Sequence, residues 1–388
     1  MAGRFTVIVI DSCGAGEMPD AAAYGDTGAN TLGNTARKVG GLSLPNLEQW
    51  GLGNLTSIAG CPPVASPRAS TGRMQEQSEG KDTTTGHWEM MGVVLDKGFT
   101  TFPQGFPDAL MQDWLRLSGA PGYLGNHTAS GTVILDDLGA EHLATGKPIV
   151  YTSADSVFQI AAHEEKVPLE TLYAWCEAAR EAGKKYGIAR VIARPFVGPG
   201  PGAFKRTYNR HDFSQPPPAT VLDLIASSGV RTTGVGKIPD IYDGHGIAES
   251  VHTEGNADGL RKTSELLRTM GSGFLFVNLV DTDMLYGHRR DYAGYAQALR
   301  EIDAALPSIA GELRPGDVLV LTADHGNDPT MPGTDHTREY VPLLVLSPGR
   351  AVGTDLGIRG SFADLGATVA EYFGVRAPVG QSFLQQVI

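Results

Sequence analysis

Three continuous runs of apolar and β-branched residues, far apart in this sequence, each lead into an acid. Residues 5–10 (FTVIVI) run into Asp11, residues 274–280 (FLFVNLV) into Asp281 and Asp283, and residues 318–322 (VLVLT) through one alanine into Asp324. A strand that is apolar on both faces has to be covered on both, as parallel strands in α/β folds are. A fourth run, 343–346 (LLVL), is of the same kind, and helical patterns over 259–270, 292–313 and 362–373 alternate with the strands. The expected fold class is therefore α/β, an open and mostly parallel sheet with helices on both faces.

A length of 388 residues suggests more than one domain, and the middle of the chain has a different texture. It is rich in proline and glycine, carries a helical pattern over 169–182, and leaves through the basic stretch RVIARPFVGPGPGAFKRTYNRHDF towards Pro216-Pro217-Pro218. This reads as an inserted, smaller α+β cap domain over 98–214. The core is then built from two pieces, 1–97 and 215–388.

In an open parallel sheet the ligand site lies beyond the carboxyl ends of the strands. Three strands therefore deliver carboxylates to one edge. His288 follows Asp283 by five positions, His325 adjoins Asp324, and His336 comes soon after. Acids and imidazoles without cysteine suit divalent metals such as Mn²⁺ or Zn²⁺. Asp11, Asp283, His288, Asp324, His325 and His336 are too many ligands for one catalytic zinc and fit a pair of metals, which can clamp an in-line phosphoryl transfer. Two divalent ions would outweigh the three carboxylates by one charge, which an alkoxide or phosphate ligand would cancel. Asp281 reads equally as a residue that caps the next turn.

The second focus is Lys81-Asp82-Thr83-Thr84-Thr85-Gly86-His87-Trp88-Glu89, three hydroxyls at what looks like a helix start. A hydroxyl between two metals is a competent nucleophile at neutral pH, and exposed backbone N–H groups there suit a phosphate. The residues alone do not choose among Thr83, Thr84 and Thr85. Asp11-Ser12-Cys13-Gly14-Ala15-Gly16 looks like a dinucleotide loop, but Pro19 stands where the third small residue is needed.

A formal net charge of −12 argues against a nucleic-acid or membrane-surface binder. No run is long enough for a membrane span, and 5–10 is too short for the apolar part of a signal peptide. Cys13, Cys61 and Cys176 are odd in number and form no CxxC pair, which favours packing roles and a reduced, cytoplasmic compartment.

The motifs VIVIDSCGAGEMPDA, GKDTTTGHWE, VYTSADSVFQIAAHEE, RVIARPFVG, NRHDF, GKIPDIYDG, LVDTDMLYGHRRD and TADHGNDPTMPGTDHTREYVPLL together resemble the phosphopentomutases of the alkaline phosphatase superfamily. The resemblance spans essentially the whole chain. It implies an alkaline phosphatase-like core and two Mn²⁺ ions, one held by Asp11, Asp324 and His325, the other by Asp283, His288 and His336. It also implies that Thr83 carries the transferred phosphate and is primed by a sugar bisphosphate such as glucose 1,6-bisphosphate. The substrates would be ribose and 2-deoxyribose phosphates, exchanged between the 1- and 5-positions through a 1,5-bisphosphate. Arg190, Arg194, Lys205, Arg206, Arg210 and His211 concentrate positive charge in the cap. The resemblance favours Arg190, Arg206 and Lys237 for the non-reacting phosphate. It favours Ser153 and Asp155 for the ribose hydroxyls, and Ser156 suits the same role. The protein is expected to act as a monomer or weak oligomer. The rival readings are a metal-dependent phosphatase and a phosphoglycerate-type mutase on the same core.

Overall fold

A computed structural model describes residues 3–131, 133–152 and 156–388. The chain divides into two compact units, Met1–Lys97 with Pro217–Ile388, and Gly98–Pro216. In chain order the first unit opens with β1 (Arg4–Ile10) and β2 (Ser70–Met74). The second contains β3 (Leu124–Thr128), β4 (Ile149–Thr152), β5 (Val157–His163), β6 (Arg190–Val197), β7 (Lys205–Arg206) and β8 (His211–Ser214). The first unit resumes with β9 (Thr232–Val235), β10 (Glu249–Val251), β11 (Gly273–Leu279), β12 (Val318–Thr322), β13 (Val341–Leu346) and β14 (Asp355–Arg359).

Among the described residues the first unit builds an eight-stranded sheet in the order β10-β9-β11-β1-β12-β13-β2-β14. Only β13 runs against the others, pairing antiparallel with both β12 and β2. β1, β11 and β12 are buried along their whole length, as continuous apolar runs require. Side chains alternate across the sheet. Phe5 meets Tyr372, and Phe274 meets Phe373, on one face; Arg4 reaches the Leu267 carbonyl of the helix Asn256–Thr269 on the other. Helices therefore cover both faces, as expected. Arg4 is also fixed at the start of β1 by Asp317, which accepts from the Arg4 backbone N–H (2.8 Å) and from Nε (2.9 Å).

The second unit holds a six-stranded mixed sheet, β3-β4-β5-β6-β7 with β8 on β6. Its strands alternate between two cores. Phe158, Ile160 and Ala162 of β5 join Trp114 and Trp175, whose helices are Asp108–Ser118 and Leu169–Gly183. Ala161 joins Ile134 and Leu135 from the helix Val133–Thr145. This unit ends after Pro216, not at residue 214, because Gln215 N–H still donates to Ala189 O (3.0 Å). No helix among the described residues is long and apolar enough to cross a membrane.

Candidate active site

Register places the acids. Ile10 pairs with Leu279, and Val9 with Thr322, so β11, β1 and β12 end level with each other. Asp11, Asp283 and Asp324 thus emerge at one edge. Because β13 is reversed, its amino-terminal end lies at that same edge, and the preceding loop brings His336 there. Met74 pairs with Val341, so β2 also finishes at this edge and releases the chain towards Thr83.

Asp11, Asp324 and His325 offer oxygen and nitrogen atoms within 4.8 Å of one another, as do Asp283, His325 and His336. His325 Nε2 lies 3.5 Å from Asp11 Oδ1 and 3.4 Å from Asp324 Oδ2. His288 Nε2 stands 3.2 Å from Asp283 Oδ2 and 3.2 Å from His336 Nε2. A π-helical turn, Thr282–Gly287, accounts for this pair: its i→i+5 bonding stacks residues five apart, which an α-turn would point apart. His288 N–H indeed donates to Asp283 O (3.2 Å). All six predicted ligands come together. Asp281 stays out: its Oδ2 accepts from Asn256 N–H (2.7 Å) at the start of the helix Asn256–Thr269.

The bonding of the donors themselves fits divalent cations. Among the described residues Asp11 Oδ1 and Asp324 Oδ2 are buried with no hydrogen-bond partner, although His87 Nδ1 makes an ion-pair contact of 3.1 Å with the latter. Buried carboxylate oxygens of this kind need a positive partner. His288 Nδ1–H donates to Thr334 O (2.6 Å) and His325 Nδ1–H to Gly326 O (3.0 Å), which turns both Nε2 atoms inward as acceptors. The remaining oxygens are oriented by Asn278 Nδ2 on Asp11 Oδ2 (3.0 Å), Asn327 Nδ2 on Asp283 Oδ1 (2.8 Å) and Ser12 N–H on Asp324 Oδ1 (3.0 Å). Ser12 adopts a left-handed φ of 73° to aim that N–H.

The electrostatics point the same way. Burial, then the charges of Asp324 and Asp283, push the Asp11 carboxyl up to about 7. Burial acts in the same direction on Asp324, but His325 and His87 bring it down to about 2; His288 and His336 hold Asp283 well below the usual range. His325 is lowered, chiefly by burial. This is a cluster whose charges repel unless cations intervene.

Thr83 opens the helix Thr83–Met90, and its Oγ1 lies 3.1 Å from Nε2 of His325, the residue common to both donor groups. Thr85 is otherwise engaged, its hydroxyl donating to Asp82 Oδ2 (2.5 Å). Asp82 also caps the helix, accepting from Thr84 N–H (3.0 Å) and Thr85 N–H (3.1 Å). These two amides serve the cap, which corrects the expectation that the helix start offers them to a phosphate. Gly86 lets the helix approach: a Cβ there would fall 2.0 Å from Asp324 O.

The Metalloenzyme superfamily model matches residues 3–377. Proteins named phosphopentomutase from Anaeromyxobacter sp. (strain K) and Symbiobacterium thermophilum are 64% and 57% identical over 385 and 386 residues. Each alignment covers 99% of this chain, and 99% and 98% of the respective relative. The chain belongs to the phosphopentomutase family. As a member it is an isomerase of the metal-binding alkaline phosphatase superfamily. Its fold is also similar to that of the PH0037 protein from Pyrococcus horikoshii, with a TM-score of 0.51 at 15% identity, covering 98% of this chain and 100% of that one.

The substrate residues expected of a phosphopentomutase are placed less uniformly. Lys237 follows β9 at the active edge, and its charge is felt at Asp11. In the second unit Arg190 Nη1 lies 3.5 Å from Asp212, and Arg206, exposed, donates to the Tyr151 hydroxyl (3.3 Å). Burial, with Arg210 nearby, lowers the neighbouring Arg194 to about 10. Ser153 and Asp155 lie outside the described residues. Ser156 departs from expectation: it is buried, its hydroxyl donating to Gly187 O (3.1 Å) and accepting from Ala189 N–H (3.2 Å), so it braces a turn. Sequence reasoning missed His87 and Asn278. The signal for Asn278 was present, a lone amide inside the apolar run FLFVNLV.

Proposed function

We propose that the chain interconverts ribose 1-phosphate and 2-deoxyribose 1-phosphate with the corresponding 5-phosphates, using Thr83 as the phosphoryl carrier. The observation that carries this reading is the position of Thr83 Oγ1, 3.1 Å from Nε2 of His325, the residue common to two Asp/His donor groups.

Asp11, Asp324 and His325 would hold one Mn²⁺, and Asp283, His288 and His336 the other. Bound there, the ions supply charge stabilisation for the attacking and leaving oxygens of an in-line transfer. Thr83, primed by a sugar bisphosphate such as glucose 1,6-bisphosphate, donates its phosphoryl group to the free hydroxyl of the pentose phosphate. The phosphorus–Oγ1 bond breaks as a bond to the sugar oxygen forms, and the proton of that hydroxyl passes to Thr83 Oγ1, which is left as the free hydroxyl. The resulting 1,5-bisphosphate reverses and returns its other phosphoryl group to Thr83. Asp82 and Gly86 fix the helix start so that Oγ1 keeps its place through both halves. Arg190, Arg206 and Lys237 suit the non-reacting phosphate, since guanidinium groups bind it bidentately. The three cysteines are free and buried, in keeping with a cytoplasmic protein acting on small phosphosugars.

The test is incubation with Mn²⁺, ribose 1-phosphate and a trace of glucose 1,6-bisphosphate, following ribose 5-phosphate and free phosphate together. Isomer without matching phosphate release is expected, and Thr83→Ala should abolish it while still binding Mn²⁺. Phosphate release without isomer would overturn the mutase in favour of a phosphatase.

A further inference from the structure

Between β2 and the helix Thr83–Met90 the chain crosses residues 75–82 without strand or helix; Gln75 and Glu79 N–H find backbone carbonyls, and other backbone groups of the segment are taken by side chains. Two buried charged residues supply them. Glu89 accepts from Gln77 N–H (2.9 Å) and Ser78 N–H (2.7 Å). Arg338, only 3% exposed, takes the carbonyls: Nη1 donates to Ser78 O (2.9 Å) and Gly80 O (2.5 Å), and Nη2 to Glu76 O (3.0 Å). The same guanidinium pairs with the buried Glu76 carboxylate (2.7 Å) and reaches Asp20 through Nε (3.1 Å). Its carbon lies 4.9 Å from the ring centre of Tyr24.

Arg338 stands two residues after His336, and the neighbouring contacts join the same two segments. Asp26 Oδ2 accepts both from Arg338 N–H (2.8 Å) and from Lys81 Nζ (3.0 Å), and Lys81 lies 3.2 Å from Asp335. The segment carrying His336 and the segment leading to Thr83 are thus fastened at several points, with one guanidinium at the centre.

We propose that Arg338 is a positioning residue for phosphoryl transfer: it sets the course of residues 76–80 against the His336 segment and so fixes Thr83 Oγ1 relative to the donor groups. The proposal rests on the reading of Thr83 as phosphoryl carrier. Arginine is required because its planar fork meets three carbonyls and a carboxylate together. A lysine ammonium keeps the charge opposite Glu76 but cannot reach the set.

Arg338→Lys tests it, with kcat and KM for the mutase reaction, Mn²⁺ binding by the metal-depleted protein, and hydrogen exchange over residues 76–86. A small displacement of the reacting group is enough to predict a loss in kcat of about 30-fold or more, with KM and Mn²⁺ affinity within about threefold. Exchange at 76–86 should quicken. If Arg338→Lys does not fold, the double variant Glu76→Gln/Arg338→Met, which removes both buried charges, is measured with the same expectation. A folded variant with kcat within about threefold of the parent and unchanged exchange would overturn the proposal; so would a fall in kcat accompanied by an equal fall in Mn²⁺ affinity. If the parent protein makes no ribose 5-phosphate, the functional reading falls on that result alone, and the exchange rates still decide whether Arg338 holds the loop.

Discussion

His87 is fully buried one turn beyond Thr83, with Nδ1 at 2.9 Å from Thr83 O and 3.1 Å from Asp324 Oδ2, and Nε2 at 3.4 Å from Asn278. It ties the helix that Thr83 opens to the carboxylates without contacting Thr83 Oγ1. His87→Asn retains a donor near Nδ1 and His87→Leu does not. Steady-state kinetics should show a loss in kcat of about 10-fold or more for the leucine variant, a smaller loss for asparagine, and little change in KM for either. At this scale the sequence was readable wherever chemistry coincided with a strand end. The six candidate donors could be brought to one place because each lies within a few residues of a sheet edge whose position the apolar runs define. The choice of Thr83 over Thr85 was not readable, since it depends on which hydroxyl Asp82 engages. The backbone contacts of Ser156 were unreadable for a similar reason: whether a serine hydroxyl bonds backbone is decided by the turn it occupies.

Among the elements, the aspartates at the end of β11 show how position separates function from structure. Asp281 and Asn256 bond each other's backbone reciprocally, the second contact being Asp281 N–H to Asn256 Oδ1 (2.9 Å). Asp281→Ala should therefore cost about 1 kcal/mol of stability, as loss of a helix cap does. Denaturant melts would show that cost, with kcat unchanged, whereas Asp283→Ala should remove activity. The strands β1, β11, β12 and β13 announced themselves because burial on both faces writes a continuous apolar run. The same property hid the direction of β13, since such a run reads identically either way. β2 (STGRM), β9 (TTGV) and β14 (DLGIR) carry no such run and gave no signal. The π-turn at Thr282–Gly287 has no sequence signature that would distinguish it from an α-turn.

For the molecule as a whole, two conditions should shift stability. Chelation of bound divalent metal should lower the melting temperature and Mn²⁺ should restore it, because a ligand at 100 times its Kd contributes about 2.7 kcal/mol. The second unit responds to pH through His142, which is buried between Lys147 O, to which Nδ1–H donates (2.8 Å), and His163 N–H, which Nε2 accepts (2.8 Å). Burial depresses its pKa below the ordinary 6.5, opposed by the Lys147 bond and aided by His163 and Lys166. A depressed value means that the folded state favours the neutral ring. Its contribution is complete above pH 6.5 and is lost as the pH falls from there towards the folded value. Calorimetric melts should show this acid-side loss, and His142→Gln, which keeps an acceptor for His163, should flatten it.

β1 lies in the middle of the large sheet, between β11 and β12, and Arg4 meets its partner Asp317 across 313 residues of chain. The ribosome therefore releases the central strand long before its neighbours β11 and β12. Until then FTVIVI lacks both of its strand partners, and the donor group around Asp11 cannot form. Activity cannot appear cotranslationally on a nascent chain that stops short of residue 336. For such a protein, a complete donor set waits on the segment around residue 336.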